Sequence, residues 1–374
     1  MINVPLSRSE SGPLQPEVKP NNMPTAKITI FEKAGVPLTL KEVEIPALKA
    51  GEVLVRTECT TLCRSDLATY VGRRIEKTPT ILGHEIVGRI AAFGPGTPTR
   101  DARGETLHVG DRVTWAIYAA SPDSELSHRG IPQKSPDLFK YGHERLTADS
   151  TLHGGLGENV ILRRHTPILP LSTDVALPVA ATINCAMATA AGALRLAGPI
   201  AGRRVTIWGV GMLGVVACAM ARTAGAAEIT AVDIAPHRLN TAARFGATRL
   251  VPAGSFDAID EKTDIAIDFS GNLRAMEQGV ERLTVGGTAV WVGGVFPQNK
   301  VHIDSERVIR NLSCIRGLHN YNADDFQYAV SFIEAHHTDF PFDTLVKGHF
   351  TLAEADAAFA FALKENPYRV AIYF

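Results

Sequence analysis

The sequence lacks the features that would place the chain in a membrane or on a nucleic acid. No uninterrupted apolar run reaches the roughly 18 residues that a membrane-spanning helix needs. The formal net charge at pH 7 is −1, which gives no reason to expect nucleic acid or an anionic membrane as a partner. With 45% hydrophobic and 21% charged residues, the composition is typical of a globular protein. We therefore expect a small-molecule substrate as the partner.

The sequence also lacks the marks of a secreted protein. Its cysteines are few, scattered and odd in number, at positions 59, 63, 185, 218 and 314, which favours free thiols in a reducing cytoplasm over a disulfide framework. Residues 1–22 are rich in Pro, Ser, Asn and charge and have no apolar core of a signal peptide. We expect them to form a disordered leader, or to precede a functional start at Met23.

The 374 residues are too many for one ordinary core, and their pattern predicts two domains. From residue 27 to about 113, short β-rich runs alternate with Gly and Pro, which predicts a largely antiparallel β-rich domain. From about residue 186, the order of strand, glycine-rich turn, helix and strand predicts an α/β unit with a doubly wound parallel sheet. Strands are predicted at 26–31, 53–56, 204–208, 228–232, 265–268 and 289–292, and helices at 186–197 and 215–224.

A glycine-rich turn predicts a dinucleotide site. Gly209, Gly211 and Gly214 form a G-x-G-x-x-G motif between a predicted strand and a predicted helix. In this context Gly209 permits a tight turn, Gly211 lets the backbone approach the pyrophosphate, and Gly214 lets helix and strand pack closely. The start of the helix, at Met212 and Leu213, offers free amides and a positive dipole end to the phosphates.

The choice of cofactor depends on Asp233, which ends the second strand of this unit. Its carboxylate would accept hydrogen bonds from the adenosine ribose hydroxyls and repel a 2′-phosphate, so NAD is favoured over NADP. Arg238 lies shortly after it and leaves a case for NADP. The alternative for the whole motif is a structural glycine turn followed by a solvent-facing aspartate.

Four serines in a long polar segment have a regular spacing. Ser121, Ser124, Ser127 and Ser135 follow the pattern S-x2-S-x2-S-x7-S. With cysteine at each position, this pattern would form a four-thiolate zinc site. A serine hydroxyl stays protonated at neutral pH and is a poor zinc ligand. We therefore expect a lobe that keeps the spacing of a structural zinc site without the metal, the alternative being a chance run of serines in a loop.

Several motifs together resemble those of the zinc-dependent medium-chain alcohol dehydrogenases. They are Cys63-Arg64-Ser65-Asp66, Gly83-His84-Glu85 and the glycine-rich turn, in the order of that family. The resemblance extends from about residue 26 to residue 374. It implies a GroES-like β-rich catalytic domain of residues 23–186 and 323–374 and a Rossmann domain of residues 187–322. It also implies a homodimer or homotetramer.

The resemblance implies one catalytic zinc ion (Zn²⁺) per chain and no structural zinc. Cys63, His84 and Cys185 match the three family ligands, which leave a fourth position for water or substrate. Asp66 would orient the His84 imidazole by accepting from its other ring nitrogen. Glu85 would lie behind the metal and approach it transiently. Taken singly, each has a structural explanation, such as a buried helical cysteine at position 185 or a surface carboxylate at position 66 or 85.

The implied reaction is hydride transfer between an alcohol and NAD. The substrate oxygen would bind zinc, which lowers its pKa, and the hydride of the carbinol carbon would pass to the nicotinamide C4. Ser65 is the candidate for carrying the hydroxyl proton outward, whereas Ala68 stands where some relatives have a histidine in this relay. Arg369 would reach the pyrophosphate from the C-terminal segment.

The runs 130–134 and 138–144 are similar to those of a narrower group. It comprises alcohol dehydrogenases associated with phosphonate catabolism and cyclitol dehydrogenases. The similarity favours a polar hydroxylated or phosphorylated substrate, such as a cyclitol, a polyol or a phosphonate alcohol. Arg73 and Arg74 could clamp a phosphate or belong to a solvated loop, and His153 is a second candidate at the substrate mouth.

Two other classes of function stay open from the sequence. A zinc-free NADPH-dependent enone or quinone reductase could share the fold, although it would need neither the two thiolates nor Asp233. A non-catalytic nucleotide-binding protein could also use the fold as a scaffold, although the ligand set shows no decay.

Overall fold

The structure is a computed structural model that describes residues 24–258, 261–294 and 299–374. The predicted leader, residues 1–22, lies outside the described residues. The strands are β1 (Thr25–Ile30), β2 (Thr39–Glu44), β3 (Val53–Thr61), β4 (Glu85–Phe93), β5 (Arg112–Trp115), β6 (Tyr118–Ala119), β7 (Phe139–Lys140), β8 (Asn159–Leu162), β9 (Ile168–Pro170), β10 (Arg204–Trp208), β11 (Glu228–Asp233), β12 (Arg249–Pro252), β13 (Thr263–Asp268), β14 (Leu283–Trp291), β15 (Cys314–Gly317), β16 (Val346–Thr351) and β17 (Arg369–Tyr373).

The α-helices are α1 (Arg64–Tyr70), α2 (Glu125–His128), α3 (Leu177–Ala181), α4 (Ala188–Ala197), α5 (Met212–Thr223), α6 (Pro236–Arg244), α7 (Leu273–Glu281), α8 (Ser305–Arg310), α9 (Ala323–His336) and α10 (Ala355–Glu365). A π-helical turn covers Ile183–Met187, and 3₁₀ turns cover Pro132–Lys134, Ala253–Ala258, Phe342–Leu345 and Leu352–Glu354.

A seven-stranded mixed sheet contains strands from both ends of the chain. Its order is β16-β17-β3-β4-β5-β9, and β8 pairs with β3. The pairs β3–β4, β4–β5 and β17–β3 are antiparallel, so the predicted β-rich unit is confirmed. Because β17 pairs with the end of β3, the C-terminal strand lies beside the segment that follows β3 and carries Cys63.

A six-stranded sheet in the order β12-β11-β10-β13-β14-β15 is parallel at every pairing. This confirms the predicted doubly wound unit. The strand order reverses at β10, which has β11 on one side and β13 on the other, and such a switch point is where ligands bind in open α/β sheets. Helix α5 begins at Met212, earlier than the predicted residue 215, because Gly211 takes the N-cap position directly after the turn.

One helical stretch, Leu177–Ala197, connects the two sheets. By length and composition it could cross a membrane, but 83% of its apolar window is buried inside the protein. It belongs to a hydrophobic cluster that extends from the mixed sheet through α4 into the parallel sheet. The stretch is therefore a core helix, and its π-helical turn holds Cys185.

A partly buried ion pair joins α4 to α9. Arg195 Nε and Nη2 donate to the two carboxylate oxygens of Asp325 at 2.6 and 3.0 Å. Asp325 also accepts from the backbone N–H of Asn322, which caps α9. The Asp325 side chain is buried, whereas 43% of the Arg195 side chain is exposed.

We expect Asp325→Ala to lower the free energy of unfolding by about 2 kcal/mol, because a guanidinium and a helix N-terminus lose their partner. The solvent exposure of Arg195 keeps the loss below that of a fully buried pair. Asp324→Ala, at the exposed neighbouring position, should cost less than about 1 kcal/mol. Urea denaturation followed by circular dichroism measures both, and equal losses would contradict the prediction.

Candidate active site

Three of the predicted metal ligands converge in one buried cluster. Cys63 follows β3, His84 precedes β4, and Cys185 lies in the π-helical turn, so three separate elements each deliver one side chain. Their ligand atoms all lie within 4.8 Å of one another. Within the described residues, no other group of three or more His, Cys, Asp or Glu side chains converges in this way.

The pKa values of the two thiols in the cluster are shifted in opposite directions. A hydrogen bond from Cys185 and the nearby Arg369 guanidinium put the pKa of the Cys63 thiol well below its usual value, although burial opposes this. The same hydrogen bond, together with burial, raises the pKa of Cys185. Burial lowers the pKa of His84, but Asp66 and Cys63 outweigh it and raise the pKa to about 10. One thiolate is thus already favoured, which is the protonation state in which sulfur binds metals.

The Asp66 carboxylate contacts the ring of His84 and accepts hydrogen bonds from the backbone at Gly83 and Cys63. One carboxylate oxygen lies 3.3 Å from Nδ1 of His84 and accepts from the backbone N–H of Gly83 at 3.2 Å. The other oxygen accepts from the backbone N–H of Cys63 at 2.8 Å. The Ser65 hydroxyl lies 3.5 Å from Nε2 of His84. The structure therefore places Asp66 and Ser65 on opposite ring nitrogens, with Nε2 toward the cluster.

Asn184, which the sequence did not single out, connects the segment of Cys185 to that of His84. Its Nδ2 donates to the His84 carbonyl at 3.0 Å, and its Oδ1 accepts from the backbone N–H of Ile86 at 3.3 Å. The Asn184 carbonyl accepts from the buried Tyr321 hydroxyl, which accepts in turn from the backbone N–H of Ile117. These bonds fix the spacing between two ligands that are far apart in the sequence.

A cavity of about 850 Å³ joins the cluster to the glycine-rich turn. Gly209 has a φ of +82°, and a Cβ there would lie 2.7 Å from the backbone nitrogen of Ser270. A Cβ on Gly214 would lie 2.2 Å from the Gly209 carbonyl oxygen. Both positions therefore require glycine. Gly211, Met212 and Leu213 also line the cavity, where α5 begins.

Asp233 and Arg238 line the cavity near this turn. The two carboxylate oxygens of Asp233 accept from the backbone N–H groups of Val210 and Ala235, each at 2.9 Å. The Arg238 guanidinium lies 5.6 Å from the centre of the Tyr368 ring. A carboxylate and a guanidinium thus border the part of the cavity where the predicted ribose would lie.

Comparison with known proteins agrees with this arrangement. Residues 49–172 match the alcohol dehydrogenase GroES-like domain, and residues 212–335 match the zinc-binding dehydrogenase family. The chain belongs to the zinc-dependent medium-chain alcohol dehydrogenase family. It is therefore an oxidoreductase of that family with a GroES-like domain and a Rossmann-type domain.

Individual relatives support the same assignment. The chain is 29% identical over 282 residues to an L-threonine 3-dehydrogenase of Pyrococcus furiosus, covering 72% of this chain and 76% of the relative. It is 27% identical over 333 residues to a D-xylulose reductase of Saccharomyces cerevisiae, covering 84% and 88%. A crystal structure of an alcohol dehydrogenase from Thermotoga maritima superposes with a TM-score of 0.86 at 26% identity, covering 93% of this chain and 99% of that one.

Glu85 and Arg369, which the resemblance singled out, form a buried ion pair beside the ligand cluster. Arg369 and Thr61 hold the Glu85 carboxylate at 2.6 to 2.8 Å, and its transient approach to the metal stays a prediction. Arg369 lines the cavity and donates to the Cys63 sulfur at 3.5 Å, and its contact with the pyrophosphate also stays a prediction. The pairing of β17 with β3 puts Arg369 beside the segment of Cys63.

The cavity also contains cationic and imidazole side chains that the sequence analysis did not assign. A Cβ on Gly142 would lie 2.4 Å from the Gly83 carbonyl oxygen, so only glycine allows these two backbones to meet. This approach brings the ring of His143 to 4.9 Å from the ring of His84. Lys140 and His319 line the same cavity. In the sequence, Lys140 and His143 fall within the run 138–144. That run indicated a family resemblance but assigned no role to either residue.

The three candidate substrate residues fall in three different places. Arg74 lines the cavity, whereas Arg73 is exposed and outside its lining. His153 is buried and lines a separate cavity of about 70 Å³, so its predicted position at the substrate mouth is wrong. The reason is that its carbonyl is bonded to Gly142, and its ring packs edge-on against the Phe139 ring, 6.1 Å away.

Three of the four spaced serines bring their hydroxyls together. The hydroxyl oxygens of Ser124, Ser127 and Ser135 lie 2.7 to 3.2 Å apart. Ser121 joins through its carbonyl, which accepts from the Ser127 hydroxyl at 2.7 Å. Hydrogen bonds between neutral groups therefore close this lobe.

We expect Asp66→Asn to weaken zinc binding by roughly 10- to 100-fold, because the amide cannot accept from Nδ1 of His84 and from two backbone N–H groups as the carboxylate does. Competition with a chromophoric chelator measures the affinity. Asp356→Asn is the control, since Asp356 also accepts from a backbone N–H, that of Leu38, but lies away from the cluster. An unchanged affinity in Asp66→Asn would refute the role.

Proposed function

We propose that the protein is a zinc-dependent, NAD-linked alcohol dehydrogenase that interconverts a primary or secondary alcohol and its carbonyl compound. One observation carries this proposal: the Cys63, His84 and Cys185 cluster and the glycine-rich turn open onto the same cavity. A metal and a dinucleotide bound at these two places would share one substrate space. The fold is shared by enzymes of several activities, so the site carries the assignment.

The donor set fits zinc. Two sulfurs and one imidazole nitrogen are ligands that zinc prefers, and three protein ligands leave one position for a substrate oxygen. Bound zinc supplies Lewis-acid polarisation of that oxygen, and bound nicotinamide supplies the hydride acceptor. Cys63, His84 and Cys185 would hold the metal. Asp66 would keep the ring of His84 oriented, since one of its carboxylate oxygens lies 3.3 Å from Nδ1.

Ser65 is the proposed carrier of the hydroxyl proton. Ser65 lines the cavity, and its hydroxyl both accepts and donates. Ala68, one turn later in α1, offers no further acceptor. The proton therefore leaves Ser65 toward water, the cofactor ribose or the substrate itself.

The proposed cofactor is NAD because a carboxylate borders the part of the cavity where the adenosine ribose would lie. Asp233 is fixed by two backbone N–H groups and cannot turn away from a 2′-phosphate without losing both bonds.

The five cysteines are all free thiols, which supports the proposed location in a reducing cytoplasm.

The proposed substrate is a polar hydroxylated or phosphorylated small molecule, such as a cyclitol, a polyol or a phosphonate alcohol. The named relatives act on threonine and xylulose, both polar molecules that carry hydroxyl groups. The cavity offers Arg74, Lys140 and His143 beside the metal cluster, which suits polar groups better than an alkyl chain. A zinc-free enone reductase would have no use for two converging thiols next to the cofactor.

We expect one zinc ion per protomer in protein purified without chelator, measured by elemental mass spectrometry. Cys185→Ala should lose both the zinc and NAD reduction with polyol or phosphonate alcohols, because one of three ligands is gone. Cys314→Ala, which removes a cysteine remote from the cluster, should keep both. Activity without zinc would move the protein to the zinc-free reductases.

We also propose that the serine lobe is the remnant of a structural zinc site. Replacing all four serines (Ser121, Ser124, Ser127 and Ser135) by cysteine should add one zinc equivalent, because three of these side chains already converge and Ser121 is bonded to the same group through its carbonyl. A variant with cysteine at positions 124, 127 and 135 alone should bind the second zinc more weakly. Unchanged metal content in the fourfold variant would refute the proposal.

A further inference from the structure

Three basic side chains from separate elements meet beside the metal cluster. Arg74 follows α1, Lys140 ends β7, and His319 follows β15. All three line the cavity that contains the ligand sulfurs. Lys134 is outside the cavity lining but adds a further cation to the group, since its Nζ lies 2.6 Å from Nδ1 of His319.

Lys140 is a half-buried cation without a matching carboxylate. Its Nζ donates to the amide oxygen of Asn320 at 3.0 Å, and within the described residues no carboxylate lies within ion-pair distance of it. Burial, and then repulsion from Arg74, lower its pKa to about 8. An ammonium has three donors, and a buried charge with a neutral partner is costly unless a ligand completes its environment.

The charges of the group do not cancel. Glu76 accepts from Arg74 at 2.7 Å and lies 2.9 Å from Nδ1 of His143, so one carboxylate serves both side chains. Arg74, Lys140 and Lys134 therefore outnumber Glu76.

The basic group lies at a short distance from the reacting position. The His143 ring packs against the His84 ring at 4.9 Å, and Nη2 of Arg74 lies 3.5 Å from Nδ1 of His143. One imidazole thus separates Arg74 from a metal ligand. A molecule whose hydroxyl lies at the cluster could reach Arg74 and Lys140 with a group only a few bonds away.

We propose that Lys140 and Arg74 form a subsite for the dianionic phosphonate or phosphate-ester group of a small hydroxylated substrate. The proposal rests on the proposed function and narrows its substrate class. A planar guanidinium and a compact ammonium together suit a tetrahedral oxyanion with several acceptor oxygens. The charge excess favours a dianion over a neutral polyol.

The test compares alcohols that differ in charge. Wild-type enzyme should oxidise 2-hydroxyethylphosphonate with a higher kcat/KM than its neutral isostere 3,3-dimethyl-1-butanol, and glycerol 3-phosphate better than glycerol. Lys140→Met and Arg74→Met should each lower this preference by roughly 10- to 100-fold, the loss expected for a charge-assisted hydrogen bond. The kcat/KM for the neutral alcohols should fall much less than that for the anionic alcohols, and an unchanged Tm separates a lost subsite from a damaged fold.

Arg73→Met is the matched control, because it removes a neighbouring arginine that is exposed and outside the cavity. Its preference for the anionic alcohols should equal that of the wild type. Lys140→Arg, which keeps the charge, should retain most of the preference. Equal losses in the Arg73 and Arg74 variants, or no charge preference in the wild type, would overturn the subsite.

A binding measurement separates the subsite from the reaction. Calorimetric titration with 2-hydroxyethylphosphonate is made at saturating NADH, which occupies the phosphate site of the glycine-rich turn. If the wild type binds the phosphonate, neither variant does, and none of the four alcohols is oxidised, the subsite is supported and the proposed function is refuted. Oxidation of neutral alcohols without phosphonate binding would support the proposed function and refute the subsite. Binding that both variants retain would overturn the subsite.

Discussion

A buried ion pair between Glu85 and Arg369 lies directly behind the sulfur of Cys63. Both charges are removed from solvent, which is unfavourable unless their donors and acceptors are satisfied. Here the carboxylate accepts two bonds from the guanidinium and one from Thr61, and the guanidinium also donates to Cys63. The pair therefore makes it possible for a thiolate to persist in a buried cluster. It also ties the last strand of the chain to the first ligand.

The arrangement of the cluster depends on this pairing and also on Asn184. Cys63 and His84 come from segments beside one sheet, but Cys185 comes from the helix that leads into the other sheet. Asn184 bonds to backbone groups on both sides of Glu85, so the helix is aligned with the strand that begins there. A π-helical turn at this point inserts the extra residue that turns Cys185 toward the cavity, and such turns are common at functional sites.

The features that were predicted from the sequence are those that local patterns determine. Strand periodicity, the glycine turn and the spacing of the serines each depend on neighbours in the chain, and the parallel sheet, the position of α5 and the serine lobe follow from them. What it missed depends on contacts between distant segments. Arg369 pairs with Glu85 because strand β17 pairs with β3, and His153 lies inward because its carbonyl bonds to Gly142. The sequence around Lys140 does not indicate its role. Its burial, and the lack of a carboxylate within ion-pair distance of it among the described residues, become visible only in the folded structure.

The four serines of the lobe carry no charge, which bears on the basic group near the metal cluster. Four thiolates around Zn²⁺ carry a formal charge of −2, whereas four hydroxyls carry none. Ser135 directly follows Lys134, and the same segment continues to Lys140, so the lobe fixes the backbone from which both lysines project. A dianionic metal centre there would partly neutralise Lys134 and, through it, the repulsion that Lys140 experiences. The hydrogen-bonded serines keep the lobe closed without that negative charge. The positive potential at this end of the cavity is therefore greater than the cysteine pattern would allow, which would strengthen its attraction for the proposed anionic substrate.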